Sequence, residues 1–99
     1  MTTSVWSEVT YLACEDIKKP QFNTSLAVDT DTTTVTISGG DVKYKEYGNT
    51  IEFVSEYGNQ SFVYSLDRVA GTLQRLTFDE NDNLSFIANY KCTRTDPLF

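Results

Sequence analysis

Histidine is absent from this 99-residue sequence, and cysteine occurs only twice. Without histidine, general-base work would fall to Asp, Glu, Lys or Tyr, and a nucleophilic Ser or Cys would lack its usual partner. A metal site would have neither imidazole ligands nor a second cysteine at ligand spacing. An enzyme, a bound metal and a cofactor are therefore all unexpected. No stretch reaches the about eighteen consecutive apolar residues that a membrane-spanning helix needs. The opening MTTSVWSEVTYLACE has neither a basic n-region nor an apolar h-region. A soluble chain is expected, exported if a signal peptide has been removed and cytoplasmic otherwise. Cations are scarce: eight Lys and Arg stand against fourteen Asp and Glu, a net charge of −6. Phosphate backbones are repelled by that balance, so nucleic acid is not an expected partner, and neither is a membrane.

What is present is enough for one folded domain spanning residues 1–99. An apolar fraction of 39 %, a third of it aromatic at 13 %, supports a core, while a charged fraction of 22 % is too low for disorder. A chain of this size supports one hydrophobic core and not two. The best-specified stretch is QSFVYSLDRVAGTLQRLTF, Gln60 to Phe78. Phe62, Tyr64 and Leu66 alternate with Ser61, Val63 and Ser65, the period of a strand with one buried face. Asp67 and Gly71 then bracket Arg68-Val69-Ala70. The Asp side chain can hold backbone N–H groups there and Gly71 can take a positive φ. Thr72 to Phe78 forms the return strand.

The rest of the chain repeats this pattern. Val5 to Glu15 reads as a first strand, and Asp16 to Gln21, with Pro20, as a loop. Phe22, Thr24, Leu26 and Val28 mark a second strand, and Thr33, Val35 and Ile37 a third, joined through Thr30-Asp31-Thr32. Gly39-Gly40-Asp41 interrupts. Val42 to Tyr47 forms a fourth strand with Val42 and Tyr44 inward, Gly48-Asn49 turns it, and Ile51 to Glu56 forms a fifth. Gly58-Asn59 leads into the Gln60 strand, and after DENDN the residues Leu84 to Cys92 alternate in an eighth. The tail Thr93 to Phe99 has no clear type. Short strands with turn chemistry at each junction and no helical period indicate an all-β fold. The architecture expected is a single-domain antiparallel eight-stranded meander, a closed or nearly closed barrel, because closure removes both exposed edges.

Closure brings the first and last strands together, and these hold Cys14 and Cys92. The pair reads as a disulfide formed in an oxidising compartment. Two buried free thiols acting as small hydrophobes are the alternative. Antiparallel neighbours would bring these late-strand positions side by side only with a staggered register or an intervening loop.

The order YLACE, SLAVDTDTTTVTI, SLDRVAGTL and a late YKC before a short tail ending in Phe99 resembles a loose group of small uncharacterised proteins of marine bacteria and their viruses. The residues carrying that resemblance are Cys14, Asp67, Arg68, Gly71, Leu73, Cys92 and Phe99. It implies export, which the first fifteen residues do not signal, and it brings no activity. An early Cys-containing strand, a meander and a late Cys are also similar in plan to the small barrels that inhibit C-type lysozymes. The Ser-Gly, Tyr, Lys-Gly order of their inhibitory loop is not found here, and no site residue carries over.

Candidate chemistry is sparse. Asp79, Asn81 and Asn83 begin like a calcium loop, but Leu84 stands where the sharp-turn Gly belongs and Tyr90 where the bidentate Glu belongs. A solvated turn is the simpler reading. Glu52 and Glu56 share a strand parity but lie about 13 Å apart along it, outside glycosidase range. Arg68 offers a bidentate donor to a carboxylate or phosphate, or else closes a local ion pair beside a turn held by Asp67. Tyr47 and Tyr57, each preceding a Gly-Asn turn, are the more exposed tyrosines and would cluster if their turns share one end. Tyr47, Tyr57 and Arg68 are therefore the candidate binding residues. The leading expectation is a non-catalytic binding module with an unidentified protein partner, protein-binding or inhibitory, that presents acidic loops and turn tyrosines. One alternative is a small-ligand barrel of lipocalin-like type, although the interior parity holds Phe22, Phe53, Phe62, Tyr64, Phe86 and Tyr90. Another is an acidic viral protein occupying a host regulator. A void of several hundred Å3 would favour the ligand carrier, and a packed interior the protein binder.

Overall fold

The computed structural model describes residues 9–37 and 39–95. The eight strands are β1 (Val9–Asp16), β2 (Asn23–Asp29), β3 (Thr34–Ile37), β4 (Gly40–Tyr47), β5 (Thr50–Tyr57), β6 (Gln60–Asp67), β7 (Thr72–Phe78) and β8 (Leu84–Thr95). Each pairs antiparallel with the next, and β8 pairs with β1, so the sheet closes into a meander barrel. No helix among the described residues is long and apolar enough to cross a membrane.

Most boundaries follow the alternation in the sequence to within a residue, Phe22 and Thr33 falling just outside β2 and β3 and Asp16 closing β1, and three further differences are informative. The first strand is described from Val9, and the expected Val5 to Glu8 lies outside the described residues. Strand β4 starts at Gly40, because Gly40 and Asp41 pair with Ile37 and Thr36 and the Thr36 hydroxyl donates to the Asp41 carboxylate. Strand β8 runs beyond Cys92 to Thr95, which makes the start of the tail a partner of β1, and residues 96–99 lie outside the described residues.

The turn after β6 forms as its residues dictate. Asp67 Oδ1 accepts from the amides of Val69 and Ala70, at 3.0 and 2.9 Å, and Gly71 takes φ +70°. Asp16, Asp29 and Asp79 hold the amides of their own turns in the same way. Short acidic side chains thus fix four of the connections without any help from the core.

Inward residues fill the closed part of the barrel. Phe53, Ile51, Leu66, Leu73, Val35 and Cys14 are fully buried, and each large aliphatic or aromatic side chain removed from water there contributes about 1.5–3 kcal/mol. Phe53 and Tyr64 stack with centroids 4.8 Å apart and planes 8° from parallel.

The staggered register leaves one end open. Strand β4 pairs with β3 through Gly40–Lys43 and with β5 only through Tyr44–Tyr47, whereas β5 pairs with β6 along its whole length. Strand β8 meets β1 only from Tyr90 onward, and its earlier residues pair with β7 alone. At that end β5 to β8 therefore extend past the closed ring. The inward row Ser55, Phe62, Thr77 and Phe86 lies in the overhang, and the row Phe53, Tyr64, Arg75 and Ala88 lies beneath it. Phe86 and Phe22, expected to fill the interior, are each 56 % exposed. Phe86 has the inward parity but lies past the closed ring, and Phe22, expected in the second strand, belongs to the loop beside it.

Candidate functional site

The β1–β2 loop, the first half of β8 and the side chains of Tyr64 and Arg75 border a half-open cavity of about 970 Å3 at the open end. The loop is a built rim. Asp16 Oδ1 accepts from the amides of Lys18 and Lys19 at 2.8 and 3.1 Å, and the Asp16 amide donates to the Phe22 carbonyl at 2.9 Å. The Lys19 ammonium lies 5.8 Å from the centre of the Phe22 ring, within the range of a cation–π contact. The Ile17 amide donates to the Asn89 carbonyl at 3.0 Å, which pins the loop to β8 where their pairing ends.

Arg75 lies among the lining residues, projecting from the inward face of β7. Its guanidinium carbon is 5.6 Å from the centre of the Phe62 ring and 5.9 Å from that of Tyr90. Its Nε is buried without a hydrogen-bond partner. Among the described residues the one ion pair joins Arg68 to Glu46, so no carboxylate pairs with Arg75. Arg75 as a whole is half-buried, so its charge keeps part of its hydration, and the cost falls on the enclosed Nε, about 1–3 kcal/mol for a buried donor without a partner. The flanking rings offset part of that cost.

Tyr64 is the cross-strand neighbour of Arg75. Burial raises its hydroxyl pKa above the usual value near 10, and the Arg75 guanidinium pulls it partly back. Tyr44 is raised too, by burial first and then by Glu46. Both hydroxyls are thus kept neutral and remain hydrogen-bond donors at ordinary pH. Three cations, Arg75, Lys18 and Lys19, line the cavity against one carboxylate, Asp16, in a chain whose net charge is −6. Chemically the site can hold an anion and stack or enclose an apolar group. Among the described residues no group of three or more His, Cys, Asp or Glu could hold a metal ion.

The residues singled out by sequence do not come together here. Tyr47 precedes the β4–β5 turn and Tyr57 the β5–β6 turn, so the eight residues of β5 carry them to opposite ends of the barrel. The expectation that they would cluster is thereby corrected: consecutive turns of a meander alternate ends, about 26 Å apart for eight extended residues. Both are exposed, Tyr57 at the open end and Tyr47 at the other. Arg68 is engaged within the fold. Its Nη2 donates to the Gly48 carbonyl at 3.0 Å and lies 2.8 Å from Glu46 Oε2, and its amide donates to the Asn49 carbonyl at 2.9 Å. The ion-pair reading of Arg68 holds, and the residue ties two neighbouring turns together. Cys14 and Cys92 form a disulfide, the staggered register of β8 bringing them opposite each other.

Arg75 is the site residue that sequence reading missed. Counting by twos from Leu73 puts Arg75 and Thr77 on the inward face, and a cation there was the available signal. No family model, curated protein or solved structure matches the chain.

Proposed function

We propose that this protein is a non-catalytic binding barrel that takes a small ligand into the cavity at its open end. The single observation carrying this reading is the void of about 970 Å3 above a packed core, a volume in the usual range for ligand pockets. The buried Cys14–Cys92 disulfide supports service in an oxidising compartment.

A second reading, docking of a protein partner on the same rim, draws support from the exposed Ile17, Phe22, Leu84, Phe86 and Ile87. All five belong to the β1–β2 loop or the start of β8. Apolar side chains grouped in this way commonly mark interaction surfaces.

The test is a titration with a neutral apolar fluorophore, N-phenyl-1-naphthylamine, followed by backbone amide shifts. Ligand binding in the cavity is expected to move Ile87, Asn89 and Lys19 and to leave Val69 and Tyr47 at the far end unchanged. Shifts confined to the far end, or none at saturating probe, would remove the cavity reading.

A further inference from the structure

We propose that the ligand is an apolar monocarboxylate whose carboxylate sits on the Arg75 guanidinium and whose body lies against Phe86, Phe22 and Ile17. This rests on the reading of the cavity as a ligand site and names the chemistry that the site selects.

The first argument is the missing counter-ion. Arg75 lines the cavity, carries a buried Nε with no partner, and pairs with no carboxylate among the described residues. A carboxylate arriving in the cavity supplies the bidentate acceptor that a planar guanidinium fits. Phe62 and Tyr90 lie within cation–π range of that guanidinium, which leaves its charge unneutralised while limiting its freedom. Binding therefore exchanges an uncompensated cation for a compensated one, with little side-chain ordering left to lose.

The second argument is charge placement. Lys18 and Lys19 stand on the rim of the same cavity, so an anion is drawn to this mouth although the chain as a whole repels it. The third is apolarity. Ile17, Phe22, Phe86 and Ile87 line the walls, which suits a hydrocarbon or aryl body.

One negative charge fits better than two. A phosphate dianion is usually held by several converging donors, such as a run of backbone amides or a helix N-terminus. Here the charged donors are separate side chains, Arg75 on β7 beside Tyr64 on β6, and Lys18 and Lys19 on the β1–β2 loop, with the Asp16 carboxylate opposing them.

The experiment compares 4-phenylbutanoate, 4-phenylbutanamide and 3-phenylpropyl phosphate on the intact disulfide-bonded chain, by calorimetry and amide shifts. The carboxylate is expected to bind about 10- to 100-fold more tightly than the amide, the range of a charge-assisted hydrogen-bond pair. An Arg75→Met substitution is expected to remove most of that advantage of carboxylate over amide. If carboxylate and amide bind equally at the cavity, the ligand class is wrong and the cavity reading survives. Tighter binding of the phosphate also overturns the class. If none of the three moves Ile87 or Asn89, both readings fail together. The ligand series on the unaltered chain decides these outcomes even if Arg75→Met does not fold.

Discussion

Cys14 and Cys92 face each other in the register that closes the barrel, with Cα atoms 4.0 Å apart across the β1–β8 seam. The disulfide locks the seam on which closure depends, and it spans 78 residues of sequence. By loop-closure entropy it contributes about 4–5 kcal/mol. The Cys14→Ala/Cys92→Ala double variant is expected to lose about that much in urea denaturation. A loss below about 1 kcal/mol would mean that the hydrogen-bonded seam closes without covalent help.

Gly71 and Cys92 are linked in a second way. The Cys92 amide donates to the Gly71 carbonyl at 2.8 Å, and a Cβ on Gly71 would lie 3.2 Å from the Cys92 carbonyl oxygen. Gly48 also has a positive φ, but a Cβ there meets nothing within 4 Å. Gly48→Ala is expected to cost about 1 kcal/mol from backbone strain alone. Gly71→Ala adds a steric conflict with rigid backbone, and its unfolding midpoint in urea should fall clearly below that of Gly48→Ala. Equal midpoints would discount the close approach.

Arg68→Ala removes the donor that holds the Gly48 carbonyl and the partner of Glu46. The side chain is 36 % exposed, so solvent screens much of the ion pair, and a loss of about 1 kcal/mol is expected, mainly from the hydrogen bond to the carbonyl. Most of that loss should persist in high salt. Faster amide exchange around Gly48 and Asn49 would accompany it. A loss that vanishes in high salt would assign the effect to the ion pair with Glu46 instead.

Burial holds the Tyr44 and Tyr64 hydroxyl pKa values above the unfolded value near 10. The folded state therefore binds these protons more tightly than the unfolded chain. That contribution is fully present below pH about 10 and is lost as pH rises through the folded values. Urea stability is expected to fall as pH rises above about 10, and Tyr64→Phe to flatten part of the fall. An unchanged slope in Tyr64→Phe would contradict the assignment.

Phe53 and Phe86 have the same inward parity but different surroundings, 1 % and 56 % exposed. Phe53→Ala is expected to cost about 3–5 kcal/mol, the usual range for a buried phenylalanine. Phe86→Ala should cost about 1 kcal/mol or less, since its ring borders the cavity and is half in solvent already. Comparable losses measured by chemical denaturation would show that the overhang is packed in solution.

Alternation, turn chemistry and strand number were readable along the chain because each depends on neighbouring residues. The period of two assigns Phe62, Tyr64 and Leu66 to one face, and Asp67 with Gly71 specifies its turn wherever the hairpin sits. The antiparallel meander follows from such hairpins placed end to end. Stagger is different in kind. How far β4 and β1 reach beside β5 and β8 is settled only when the ladder closes on itself, and that sets which inward residues become core and which line a cavity. Phe53 and Phe86 are indistinguishable by parity, as are Leu73 and Arg75. Their fates diverge because hydrogen bonding ends at a particular rung, and no local pattern records where that rung falls.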